Sequence, residues 1–422
     1  MRLLTISSGQ RKPNTISVLA CFAFLCIGTV PAVYGMLAGR YLTLAYAVLL
    51  GIWIAELAFV HLTRGRTGRM LALVLVYMLL LVAFAAVNIF NFRGYLISVA
   101  VPLFPILAYS HYADYEDTKP LQTMAVILLV LLGVTFVTTV IGLDEEKYLL
   151  RVLPTLSVNE RLSYYRRNIG SINHIYTAGL VLVAYFSKLK QLRKTSFWIQ
   201  LVALLIAVAA FLLVIKGSSG ITVLACAVGL VWFLLSRQKP AVRYILVIAL
   251  VFALLMGMDA LADGLLSLSK QVDNYYFSNK LADMAASLQG GEAMGDVAAR
   301  TDGYKKCLET FIGSYGLGVG PQYGQVYAAT TVDGHSQLLA DLARYGILWL
   351  VGAITLFLDF TKSIRSRNEA AGIQADNGAV YATFLVMFAV QPVLSNMELV
   401  AMMTLVVPYL DGFLHRHRKN AN

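Results

Sequence analysis

The chain has 422 residues, 59% of them hydrophobic and only 14% charged, with a net charge of +11 and a mean hydropathy of +0.70. Soluble domains carry roughly 25% charged residues, so a water-soluble fold is excluded. The excess of cations follows from membrane topology and anionic headgroups, and nucleic-acid binding is not needed to explain it.

Apolar runs of about 17–25 residues recur from end to end, each long enough to cross a hydrocarbon core of roughly 30 Å as a helix. Helices satisfy their own backbone in lipid, whereas open strands do not. The expected fold is therefore an all-α polytopic membrane protein of about twelve transmembrane helices. They lie at roughly 15–36, 41–61, 69–90, 94–111, 121–142, 173–188, 197–215, 220–236, 243–263, 336–360, 377–394 and 396–413. The chain divides into four stretches: 1–142 with the first five spans, 143–263 with a loop and spans six to nine, the long loop 264–335, and 336–422 with three spans and a tail.

The first run follows Arg11 and Lys12 and passes through Val30, Pro31 and Ala32 without a clear small-residue cleavage site, so it reads as an uncleaved first helix. Cys21, Cys26 and Cys226 fall in apolar runs and only Cys307 in a polar loop, a pattern that predicts no disulfide.

Alternate gaps carry the cations: Arg64, Arg66 and Arg69, then Lys119, then Lys188 to Lys194, then Arg237 to Arg243, then Lys362 to Arg367. With the two termini that side holds 20 of the 34 Lys and Arg residues, whereas the short gaps opposite hold only Arg40, Arg93 and Lys216. The positive-inside rule places both termini on the cytoplasmic side. Two longer loops, about 143–173 and 264–335, then fall on the outer, non-cytoplasmic side. The second is long enough to be functional, and it predicts short surface helices over Asp273 to Leu288 and Asp296 to Phe311, separated by Gly290 and Gly291.

Of six histidines, only His174 and His335 face outward in this topology. His335 opens the tenth span and is a candidate general base, or else an interfacial helix-cap histidine. Arg161, Arg166 and Arg167 precede the sixth span, and Arg300 stands with Lys305 and Lys306 in the long loop. Guanidinium groups grip phosphate oxygens in pairs, so this set suits a diphosphate, while single interfacial arginines commonly anchor headgroups. The glycines of Gly313 to Pro321 would let backbone amides approach an anion. The turn Lys216-Gly217-Ser218-Ser219-Gly220 offers a cation and amides, or is simply a tight hairpin. Tyr323, Tyr276 and Phe277 suit contacts to lipid or sugar, and equally an aromatic belt. No Asp-x-Asp pair occurs, so divalent-metal neutralisation of a leaving group is not expected, and positive side chains take that role.

In their order of occurrence these residues resemble the O-antigen ligase and polymerase superfamily of bacterial envelope enzymes. The resemblance runs over roughly 160–350: Arg166 and Arg167 with Gly170 and Asn173, then Ser218-Ser219-Gly220, then Arg300, then Gly318-Val319-Gly320-Pro321, then the His335 helix with Tyr345-Gly346-Ile347. Ser336 stands where the family commonly has asparagine, Ser219 where it has arginine and Tyr304 where it has tryptophan.

The resemblance implies a GT-C-like glycosyltransferase architecture and metal-independent, inverting transfer. The donor would be an undecaprenyl-diphosphate-linked glycan and the acceptor the lipid A-core, in lipopolysaccharide biosynthesis. His335 would be the base, with Arg166, Arg167, Arg300, Lys216 and Tyr323 binding substrate; no cofactor, metal or nucleic acid is implied. One dominant late loop favours ligase over polymerase. The rival class is a lipid-linked glycan transporter, expected to show inverted repeats and ionisable residues along a path. Glu56, Asp259, Asp341, Arg344, Asp359 and Glu398 lie in or near spans, and Asp341 and Arg344 are spaced to pair on one helix.

Overall fold

In a computed structural model, the structure describes residues 12–64, 69–88, 103–113, 115, 117–146, 148–217, 219–239, 241–243, 245–246, 258–272, 275–288, 295–320, 336–373 and 375–419. Among them there is no strand. His335, Tyr323 and Pro321 lie outside the described residues, as do most of the expected ninth span and the first half of the fourth.

The helices are α1 Thr15–Thr29, α2 Pro31–Leu37, α3 Arg40–Arg64, α4 Arg69–Asn88, α5 over 103–112, α6 Lys119–Glu145, α7 Leu149–Val152 and α8 Val158–Arg166. They continue as α9 Ile172–Leu192, α10 Phe197–Lys216, α11 Gly220–Ser236, α12 Met258–Gln271, α13 Tyr275–Leu288, α14 Gly295–Gly313, α15 Gln337–Ala370 and α16 Gly378–Val390. The last, α17, runs from Met397 to Lys419 through a π-helical stretch at Met402–Val406. Among the described residues five helices are long and apolar enough to cross a membrane, and a sixth span is obtained if α1 and α2 are joined. Shorter apolar helices lie at Arg69–Ala83, Gly220–Ser236 and Gly378–Val390.

The polar pairs sort the helix ends. Lys216 at the end of α10 meets Asp144 at the end of α6, and Arg167 meets Glu145. The start of α9 meets both the end of α1 and the start of α17, through His174 to Thr29 and Glu398. These mark one end of the bundle, the upper end. At the lower end Lys188 of α9 joins Asn377 and Asp411, Ser236 bonds Asp376, and Arg69 pairs with Asp359. Between the ends, α9 and α17 form the centre: the α17 span is 83% buried, whereas that of α15 is only 22% buried. Small residues let the helices approach: Gly179 of α9 faces Thr222 and Cys226 of α11, and Gly229 of α11 faces Thr383 of α16, as expected where packing rather than hydrophobicity drives association in lipid.

The first apolar run is not one continuous helix as expected. It breaks at Val30, and α2 turns 93° from α1. Pro31 supplies the cause, since it disfavours helical backbone in the residue before it, and Val30 is extended at φ −111°, ψ 107°. The tenth run is longer than expected, 34 residues reaching Ala370, with a kink at Gly346 (φ 70°, ψ −166°). Its expected ion pair is present, Arg344 Nη1 lying 3.7 Å from Asp341 Oδ1. The short helices anticipated in the long loop are α13 and α14, preceded by α12, which packs on α13.

Candidate functional site

A helix broken within an apolar span exposes backbone groups that lipid cannot satisfy, so such breaks occur only where protein or a polar cavity receives them. At this break the Val30 N–H donates to Cys26 O (2.9 Å), and the Ala32 N–H to Asn168 Oδ1 (3.2 Å). The Thr29 carbonyl accepts from His174 Nε2 at 3.1 Å.

The His174 ring is fixed by its own helix start. Ser171 caps α9, and its backbone N–H donates to His174 Nδ1 at 3.1 Å, a capping box with histidine at the third position. With Nδ1 accepting from the Ser171 N–H and Nε2 facing the Thr29 carbonyl, both ring nitrogens are occupied. His174 therefore positions the break rather than offering a free base. Glu398, the first acid of α17, is buried, with Oε1 3.8 Å from His174 Nδ1 and a hydrogen bond to the Asn173 side chain.

Above these groups lies α8. Ser157 and Glu160 form a second capping box, the Glu160 carboxylate accepting from the Ser157 N–H (3.0 Å) and hydroxyl (2.6 Å). These bonds hold the Glu160 carboxyl below its ordinary range. The helix lies against α2 at close range: Gly35 has no room for a Cβ, which would fall 2.9 Å from Arg166 N. Tyr34 of α2 and Tyr165 of α8 meet edge to face with centroids 5.7 Å apart. Burial pushes the Tyr165 phenol up, opposed by the nearby positive charge of Arg161.

Together these elements enclose a cavity of about 380 Å³, with Thr29, Val30 and Pro31 of the break on one wall and Arg161, Leu162 and Tyr165 of α8 on another. Asn173, His174 and Glu398 complete its polar side. The Arg161 guanidinium has no hydrogen bond or ion pair among the described residues. The cavity thus combines a donor-only cation, a buried carboxyl group, an amide and an aromatic corner.

Of the residues singled out by sequence, Arg161, Asn173 and His174 line this cavity, whereas the other cations do not. Arg166 Nε donates to Gly35 O at 3.2 Å, binding α8 to α2. Arg167 Nη2 grips both oxygens of Glu145 at 2.6 Å, and Lys216 pairs with Asp144, so the structure brings these two cations together at the acidic end of α6. Both pairs are exposed; such pairs hold weakly in water, and a stronger anion can displace the carboxylates. Arg300 is half-buried on α14, which packs on α15. None of these four is among the described residues lining the cavity. His335 immediately precedes Ser336, whose hydroxyl caps α15 and contacts Ala389 O at the upper end (2.5 Å).

The glycine turn corrects one expectation. Its amides do not face an anion: the Val319 N–H donates to Ala343 O (3.0 Å) and the Gly320 N–H to Arg344 O (2.7 Å). The Gly346 kink frees those carbonyls, and the turn covers them. Gly318 must be glycine for this contact, with φ +83° and a Cβ position 2.5 Å from Arg344 O. Among the described residues no group of three or more His, Cys, Asp or Glu is placed to hold a metal ion. Glu398 is the residue whose importance sequence reasoning missed; its signal was a lone acid between Met397 and Leu399 in an apolar run.

No family model matches the chain, and no curated protein or solved structure matches it.

Proposed function

We propose that the chain is an O-antigen ligase of the bacterial inner membrane, a twelve-span GT-C-like glycosyltransferase with its upper end in the periplasm. Its reaction moves an undecaprenyl-diphosphate-linked glycan onto the lipid A-core. The observation that carries this reading is the upper end itself: a polar cavity at a broken span, with Arg166, Arg167 and Lys216 outside its lining and the His335 helix starting on the same end. The order of these residues along the chain, which resembles the ligase and polymerase superfamily, supports it further.

The chemistry is a displacement at the anomeric carbon. The acceptor hydroxyl oxygen forms the new C–O bond as its proton passes to His335, and the bond to the diphosphate breaks with both electrons leaving on the phosphate oxygen. Cations at the leaving group stabilise that charge: Arg300, with Arg167 and Lys216 released from their exposed carboxylate partners and Arg166 beside them. Tyr323 contacts the glycan or its lipid. A polymerase performs the same bond exchange with a lipid-linked glycan as acceptor.

The test is transfer by purified full-length protein in detergent, supplied with lipid-diphosphate glycan and lipid A-core and no ATP. A ligase forms the joined product, and His335→Ala lowers the rate by about 100- to 10,000-fold with the protein still folded. A product only with lipid-linked acceptor assigns polymerase. Absence of any new glycosidic bond, with movement of the glycan across a vesicle membrane, refutes the enzyme and assigns transport.

A further inference from the structure

The cavity at the broken span is chemically unlike a diphosphate site. A diphosphate offers only acceptor oxygens and carries negative charge, so it requires donors on every side. Here Glu398 presents a buried carboxyl group, with His174 3.8 Å behind it, in a lining that it shares with Arg161. Such a group meets a phosphate oxygen to oxygen with at most one proton to share, and is a poor partner for it. A sugar hydroxyl both donates and accepts, so a ring of hydroxyls satisfies Arg161, Glu398 and Asn173 at once. The edge-to-face pair Tyr34 and Tyr165 adds an apolar corner for the C–H face of such a ring. At about 380 Å³ the cavity sits at the small end of ligand pockets, which suits a single ring better than a chain.

We propose that this cavity is a pyranose subsite: it binds one neutral sugar ring of a glycan substrate through Arg161, Asn173 and Glu398, and leaves the diphosphate to the cations outside it. The proposal rests on the glycosyltransferase reading only for which molecule delivers the ring, donor or acceptor. His174 is a positioning residue, holding Thr29 and standing behind Glu398.

The experiment uses the purified full chain in a detergent without a sugar headgroup. Saturation-transfer NMR measures binding of a panel of methyl hexopyranosides, and phosphorus NMR measures inorganic pyrophosphate. Wild type is expected to bind at least one hexopyranoside. Arg161→Met and Glu398→Gln should each weaken that binding about tenfold or more, while pyrophosphate binding is unchanged in Arg161→Met. Tyr165→Leu, which keeps every charge, should weaken hexoside binding as well and covers the case in which Glu398→Gln does not fold. In the transfer assay a raised KM for lipid A-core in Arg161→Met assigns the ring to the acceptor, and a raised KM for the lipid-linked glycan assigns it to the donor. No hexoside binding by wild type, hexoside binding that survives both Arg161→Met and Tyr165→Leu, or loss of pyrophosphate in Arg161→Met overturns the proposal. Hexoside binding through Arg161 with no glycosyl transfer by wild type leaves the sugar site standing and removes the ligase reading instead.

Discussion

Lys188 is the most deeply buried cation among the described residues and offers a sharp test of how this bundle is held. Its residue is 1% exposed, and Asp411 is 0% exposed. The ammonium donates to Asp411 and to Asn377 Oδ1 (2.8 Å), and Asn377 Nδ2 closes the triangle on Asp411 Oδ2 (2.8 Å). Three helices, α9, α16 and α17, are tied at this point. Removing one partner of a buried pair leaves an uncompensated charge and costs about 3–5 kcal/mol, whereas removing both with apolar replacements is close to neutral. Scaled to this length, each kcal/mol moves the melting midpoint by roughly 1–2 °C, so Lys188→Met should melt about 3–10 °C below wild type by that scaling. The combined Lys188→Met and Asp411→Leu variant should recover most of the loss. All four cysteines are buried and outside any disulfide, so a thiol-reactive fluorophore reports unfolding directly, with all variants heated at one scan rate because membrane proteins often unfold irreversibly. An unshifted Lys188→Met, or a double variant that loses the sum of the two single losses, would refute the idea that the triangle is a coupled unit.

Gly346→Ala places a side chain in a glycine-only backbone region and against Gly316 O; a loss of about 1–3 kcal/mol is expected in the same melt. Gly372→Ala, also at positive φ (+66°) but facing open space, should cost less, and equal losses would argue that the turn over α15 contributes nothing. Glu160 provides a pH signature. Its carboxyl is held low in the folded chain, so its stabilisation of α8 is present above the ordinary carboxylate range and is lost as pH falls through the lowered value. Amide exchange across 158–166, corrected for the intrinsic rate, should accelerate on acidification, and Ser157→Ala should abolish that extra pH dependence.

Helices α6, α10 and α11 were legible because apolar run length is a local property: each begins and ends within a few residues of where hydropathy places it. The pair Asp341 and Arg344 was legible for the same reason, being three residues apart on one helix. The break at Val30 had its signal in Pro31, which an apolar run masked. What sequence did not reveal are pairings across distance. Lys216 and Asp144 are separated by 72 positions, and His174 and Thr29 by 145. The cations were visible as a group, but the acids that meet them, Asp144 and Glu145, stood at a helix end where they read as ordinary boundary residues. The glycine turn was misread because glycine marks close backbone approach without naming the partner, which here is the chain's own kinked helix.

The fastening of the first span's two halves bears on how a ligand would be received. Because the bare amide and carbonyl at the bend are already held by Asn168 and His174, the wall they form cannot swing aside without stranding polar backbone in an oily medium. That wall is therefore set before anything enters. An arriving molecule gives up its own freedom but orders little of the protein, which favours selective capture of a ligand whose shape already fits.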